Sequence, residues 1–284
     1  MCNGLYAIAF ISKQRLCRPM TSGPGSLWKA LDGAVRESVS DKNTAVAFSG
    51  GLDSGIIAAV VKECAKEATL YTVGSKGSHD VREARSSAEE LGMRLVHIEI
   101  TEDRVMDCLR EMISITGTKD PVTLSFEIPL FFVCKNCAEK EIITGQGADE
   151  LFAGYSKYIG LNGNDLREKM AEDMRKLSEI TLPHEKKVAE HFRKRIHYPF
   201  LDENVVKAVN ALGIDAIAPA DDPLSRKRAL REVSELAGYS NISVKEKKAA
   251  QYGSGSMALI KKICRDRNMT YSGLIEMLCT EVKR

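Results

Sequence analysis

Ala45-Val46-Ala47-Phe48-Ser49-Gly50-Gly51-Leu52-Asp53-Ser54 carries an apolar strand into Ser-Gly-Gly-x-Asp-Ser, and a helical run from Gly55 to Lys66 follows at once. A turn of that make-up at a helix N-terminus presents unpaired backbone N–H groups at the positive end of the helix dipole. Both effects favour an anion such as phosphate. Gly50 and Gly51 admit positive φ and let backbone come close to a ligand. Ser49 and Ser54 supply hydroxyl donors, while Asp53, a hard oxygen donor, suits Mg²⁺ better than phosphate. The Walker pattern Gly-x-x-x-x-Gly-Lys-Ser/Thr is not what stands here. A ligand-free strand-to-helix turn is the competing reading of the same residues.

Outward from this loop, strand candidates alternate with helices. The strands are Thr44–Phe48, Thr69–Val73, Arg94–Ile98 and Glu141–Thr144, with helices near 55–67, 81–92, 102–116 and 126–138. Such alternation predicts an α/β fold with a parallel sheet covered by helices on both faces. Ligands of such sheets sit beyond the carboxyl ends of the strands, where both Ser49–Ser54 and Gly145-Gln146-Gly147 fall. Apolar spacing at Leu27, Leu31, Ala34, Val35 and Val39 predicts a helix before the first strand. Beyond Tyr155 the β signal disappears and helical patterns dominate, near 164–179, 184–194, 202–212, 223–237, 255–265 and 270–282. The expected organisation is an irregular arm over 1–26, a nucleotide-binding α/β domain over 27–160 and a helical lobe over 161–284.

The chain has 284 residues, 44% hydrophobic and 28% charged, with 41 Lys+Arg against 39 Asp+Glu for a net charge of +2. No global field advertises a nucleic acid or membrane partner. No apolar run approaches the roughly 18 residues of a membrane span. Eight cysteines scattered through apolar or helical segments suggest reduced thiols and a cytoplasmic location rather than a disulfide framework. A homodimer is left open.

The loop resembles the PP-loop of ATP pyrophosphatases, which cut ATP between the α and β phosphates and adenylate a substrate. Further segments narrow the resemblance. Thr144-Gly145-Gln146-Gly147-Ala148-Asp149-Glu150-Leu151-Phe152-Ala153-Gly154-Tyr155 is similar to the Gly-x-Gly-Ala/Ser-Asp-Glu-x-Phe-x-Gly-Tyr signature of class II asparagine synthetases. Arg195-Ile196-His197-Tyr198-Pro199-Phe200-Leu201-Asp202, Lys227-Arg228-Ala229-Leu230-Arg231 and Lys245 through Gly255 resemble three later motifs of that family, in the same order. His79-Asp80 falls where the family has a nucleotide-side Asp, and Pro129 where it has a helix-starting Pro.

The resemblance implies an AMP-forming amide ligase using ATP and Mg²⁺ on aspartate or a related carboxylate, with ammonia or an amine as acceptor. Asp53 and Asp149 are then metal ligands, with a helix N-cap as the competing role for Asp149. Lys227 and Lys247 neutralise pyrophosphate or the acyl-adenylate. Ser49, Gly50, Gly51, Leu52, Asp53, Ser54, Gly145 and Gly147 hold the nucleotide, and Asp80 orients ribose or base unless it caps its helix.

Two departures qualify this picture. Met1-Cys2 shares the family's glutaminase nucleophile position, yet too few residues precede the loop for a glutaminase domain. Nitrogen is therefore expected from solution or from a separate amidotransferase subunit. Gln146 stands where the family has a Glu thought to act as base on the attacking amine. An amide takes no proton at neutral pH, so Gln146 is expected to bind by hydrogen bonding instead. Two other readings stay open. One is a transfer RNA-modifying enzyme holding an iron–sulfur cluster through Cys134 and Cys137, against which stands a pair of core-facing cysteines on one helix. The other is an ATP-binding regulatory paralogue of reduced activity.

Overall fold

The computed structural model describes residues 23–161, 163–218, 225–244 and 250–282. Its centre is a five-stranded, wholly parallel sheet of order β3-β2-β1-β4-β5. The strands are β1 (Asn43–Ala47), β2 (Glu67–Gly74), β3 (Leu95–Glu99), β4 (Glu141–Ile143) and β5 (Arg195–His197). Successive strand residues point to opposite faces. Val46, Leu70 and Ile143, which are register partners, enter one apolar core. Their neighbours Ala45, Tyr71 and Ile142 enter the other.

Helices α1 (Pro24–Val39) and α2 (Leu52–Cys64) cover the first face with α3 (His79–Leu91). The second face carries α4 (Glu102–Thr116) and α5 (Pro121–Asn136). After β4 come the short α6 (Ala148–Leu151) and then α7 (Gly163–Lys176), which runs through a π-helical turn (Leu177–Thr181) into α8 (Leu182–His191). After β5, α9 (Glu203–Leu212) returns to α1, followed by α10 (Ile214–Ile217), α11 (Arg228–Leu236) and α12 (Ser240–Ser243). The last helices are α13 (Ala250–Gly253), α14 (Ser256–Asp266) and α15 (Tyr271–Val282), the final two lying on α4. Among the described residues no helix is long and apolar enough to cross a membrane.

The α/β expectation is therefore met, with three corrections. A fifth strand lies beyond Tyr155, where no β signal was read. It is three residues long, and Arg195 and His197 both bind the Glu141 carboxylate of β4, pulling its pKa down to about 2. Pro129 does not start a helix: it lies inside α5, which begins at Pro121 with Asp120 accepting the Thr123 N–H at 2.8 Å. The helix before the first strand starts at Pro24, not Leu27. The arm, apart from its end, and Cys2 lie outside the described residues.

Candidate active site

Consecutive strands run outward from β1 to β2 and β3, and the chain then jumps back to place β4 on the other side of β1. This reversal opens a crevice beyond the carboxyl ends of β1 and β4. A cavity of about 490 Å³ occupies it, lined by Ser49 and Leu52 to Ser54 from the β1 loop and Thr144 to Gln146 from the β4 loop.

The β1 loop is shaped by glycine. Gly50 has φ +76°, and a Cβ there would lie 2.3 Å from the Ala84 backbone N of α3. The loop is thus pressed onto α3, and the buried Ser87 hydroxyl donates to the Gly50 carbonyl at 3.0 Å. Gly51 is the N-cap of α2 and offers no side chain to its first-turn N–H groups, which leaves them for an anion. The Ser49 and Ser54 hydroxyls stand 3.2 Å apart above that turn. Gly50→Ala is expected to destabilise the protein and to weaken ATP binding more than tenfold, since both φ and α3 oppose the methyl group. Thermal melting and nucleotide titration of the variant measure this.

Sequence-distant charges meet beside the loop. Lys227, the N-cap of α11 at φ 59°, is almost wholly buried. Its ammonium lies 2.5 Å from Asp53 Oδ2 and 2.7 Å from Asp149 Oδ1. Burial lowers its pKa, and Asp53 opposes that shift. Asp149 is therefore not the cap of α6; Gly147 holds that position at φ 91°. The other Asp53 oxygen, Oδ1, is buried without a hydrogen-bond partner. Two carboxylates joined by a cation, one with a free oxygen, form a donor set that fits a hard cation arriving with a triphosphate. Among the described residues no three metal-ligating side chains converge.

On the β2 side, Asp80 sits in the first turn of α3, buried and lining the cavity. Ser78, not Asp80, takes the cap position. Gly253 lies against the carboxylate, and a Cβ there would approach Asp80 Oδ1 to 2.0 Å. Ala250 and Gln251 line the cavity next to it. Lys247, expected from the same motif, lies outside the described residues. Gln146 lines the cavity, its backbone N–H held by Thr144 Oγ1 at 3.1 Å. Arg195, by contrast, sits at the sheet edge, and Asp202 caps α9 by accepting the Asn204 N–H at 2.8 Å. That motif is architectural.

Sequence reasoning missed Glu150 and Glu185, both buried and cavity-lining, and the cavity-lining Arg226. Arg231 stood in a matched motif without a site role, and it too lines the cavity. Cys134 and Cys137 are buried in the apolar layer under α4 and α8, away from the cavity lining. Burial raises both thiol pKa values, which disfavours thiolate ligands. The pair is core-facing.

The asparagine synthase family model matches residues 26–196. The chain belongs to the asparagine synthase family. A provisionally named glutamine-hydrolyzing asparagine synthetase of Methanocaldococcus jannaschii is 26% identical over 87% of this chain and 53% of its own length. Asparagine synthetase B of Escherichia coli, also glutamine-hydrolyzing, is 25% identical over 81% of this chain and 44% of its own. The chain thus spans about half the length of these relatives. A U34-tRNA thiolase of Methanococcus maripaludis, solved with its iron–sulfur cluster, aligns at 14% identity and TM-score 0.37 over 91% of this chain and 78% of that one.

Proposed function

We propose that this chain adenylates a carboxylate with ATP, releases pyrophosphate, and passes the acyl group to ammonia or an amine. The observation that carries the reading is the buried Lys227 between Asp53 and Asp149, next to a glycine loop at a helix N-terminus. Joining a carboxylate to the α-phosphate brings two anions together, and fixed positive charge lowers that barrier without reorganisation.

In this mechanism the α2 N-terminus, with Gly50, Gly51 and the Ser49 and Ser54 hydroxyls, holds the phosphates that leave as pyrophosphate. Leu52, Gly145 and Gly147 shape the crevice around the nucleotide, and Asp80 fixes the ribose or base end. Asp53 and Asp149 would hold Mg²⁺, which when bound screens the phosphate charge. Lys227 and Lys247 neutralise the departing pyrophosphate and the adenylate. Gln146 orients the acceptor or adenylate by hydrogen bonding and accepts no proton. Nitrogen comes from free ammonia, an amine, or a separate amidotransferase.

The test is incubation with ATP, Mg²⁺, ammonium and a panel of carboxylates beginning with aspartate, following pyrophosphate release and ATP–pyrophosphate exchange. Carboxylate-dependent exchange is the expected result. Its absence across the panel overturns the reading. The amide at Gln146 favours a second reading, an ATP-binding regulatory subunit, for which nucleotide binding without exchange is the expected signature.

A further inference from the structure

The cavity has an electrostatic polarity that the phosphate chemistry does not use. Lys227 and the α2 N-terminus mark one wall; on the other, Lys157 is paired with Asp173 and Lys176 with Glu172, while Glu185 has no cation partner among the described residues. The π-helical turn between α7 and α8 aligns Leu177, Thr181 and Glu185 along the cavity wall, and such turns recur at functional sites. Glu185 is only 5% exposed, and its Oε2 has no hydrogen-bond partner. Glu127 of α5 is 3% exposed, with both carboxyl oxygens unpartnered. Its nearest counter-group, His184 Nδ1, stands 3.7 Å away, beyond hydrogen-bond reach. The Tyr198 hydroxyl, on the segment after β5, lies beside Glu185 without a hydrogen bond of normal geometry, yet close enough to favour its ionised form. Among the described residues no Lys or Arg forms an ion pair with Glu127 or Glu185. Buried carboxyls in this condition either stay protonated or await a cation from outside.

We propose that Glu185, with Glu127 and Tyr198 behind it, receives the acyl acceptor as a protonated amine or ammonium ion and takes its proton. The proposal deepens the ligase reading and rests on it. It supplies the base that Gln146 cannot be, and it selects a basic nitrogen nucleophile over a neutral amide or water. The ammonium nitrogen gives one proton to the Glu185 carboxylate and so frees its lone pair. That pair forms the C–N bond at the acyl carbon. The acyl C–O bond to the adenylate breaks, and its electron pair leaves with AMP. The second nitrogen proton departs on the AMP phosphate.

Burial, opposed by the Tyr198 hydroxyl and helped by the charge of Glu150 of α6, pushes the Glu185 pKa up to about 8. Glu127, pushed up to about 9 by burial with Glu185 and Asp120 adding to it, stands behind the cavity lining next to Glu185, with Cys134 and Tyr198; Glu150, Lys157, Asp173 and Lys176 are the ionisable groups that share the lining on this side. On α8 itself His184, whose own pKa is lowered by burial, flanks it. An ionisation near 8 in kcat/KM for the amine is thus assigned to free enzyme.

The test compares Glu185→Gln and Glu185→Asp with wild type in two assays. The first divides amine-dependent turnover by carboxylate-dependent ATP–pyrophosphate exchange. Glu185→Gln is expected to lower this ratio by about 10²-fold and to lose the ionisation near 8, while Glu185→Asp recovers part of both. Hydroxylamine, unprotonated at neutral pH, is expected to restore the ratio in the Gln variant. An unchanged ratio overturns the proposal. The second assay titrates methylammonium chloride against potassium chloride by calorimetry, without ATP. Saturable methylammonium binding in wild type, lost in Glu185→Gln, is expected, and equal binding in both overturns the proposal. If wild type shows no exchange, the ligase reading fails and the calorimetry still decides whether Glu185 forms a cation site.

Discussion

Lys227→Met is expected to cut carboxylate-dependent pyrophosphate release by about 10³-fold, the scale seen when a preorganised charge is removed from a reacting oxyanion. The ammonium is held 2.5 Å from Asp53 and 2.7 Å from Asp149, and it reaches that point by entering a helix in the left-handed region. Methionine keeps the length and volume while removing the charge. Asp53 and Asp149 then face each other unscreened, and an incoming triphosphate adds to the repulsion. Each carboxylate retains about a fifth of its exposure, so solvent softens the loss. We expect a stability decrease of about 2 kcal/mol, below the 3–5 kcal/mol of a fully buried broken pair. Adding Asp53→Asn to Lys227→Met is expected to recover part of the stability but none of the activity, because the two sites are directly coupled. Denaturant melts and the pyrophosphate assay read both. Turnover within tenfold of wild type would remove Lys227 from the chemistry.

What was legible in the sequence followed from local chemistry. The β1 loop announced itself because glycine and serine at a strand-to-helix turn leave backbone N–H groups open at a helix N-terminus, and α2 follows it as expected. The four strands that were read carry apolar residues at the positions that enter the two cores. β5 was hidden because Arg195-Ile196-His197 looks polar by itself; only Glu141 of β4, 54 residues away from Arg195, explains its charges. Asp120-Pro121 carried a plain helix-start signal, but the helix was expected only near 126, five residues after its start at Pro121, and Pro129 lies inside it. Lys227 and Asp53 are 174 residues apart, so their pairing has no local trace. Glu185 is the sharper case. In Leu182-Pro183-His184-Glu185 an acid in a first helical turn reads as complementing the helix dipole, and only the tertiary fold buries it.

Gly154→Ala is expected to disable the site while sparing most of the fold. Gly154 does not lie at positive φ, so alanine meets no backbone penalty there. The obstacle is contact: the added Cβ would stand 2.0 Å from Asp149 Oδ1 and 2.2 Å from Lys227 Cε. Neither neighbour yields easily. Asp149 is anchored in α6 and bonded to the ammonium, and Lys227 is enclosed on every side. Relief must come from rotating the carboxylate off the lysine or lifting the Ala153–Tyr155 turn, which carries the Tyr155 hydroxyl bonded to Glu150 at 2.6 Å. Overpacking of this kind typically costs about 1–3 kcal/mol, and a displaced carboxylate-lysine pair about 10²-fold in rate. Far-ultraviolet circular dichroism should stay native-like while exchange activity falls and the Mg²⁺ concentration for half-maximal exchange rises. A variant with native exchange and an unchanged Mg²⁺ requirement would show that the Asp149–Lys227 contact tolerates displacement, and with it that Asp149 does not hold the metal. Lost activity at an unchanged Mg²⁺ midpoint would place the damage on Lys227 alone.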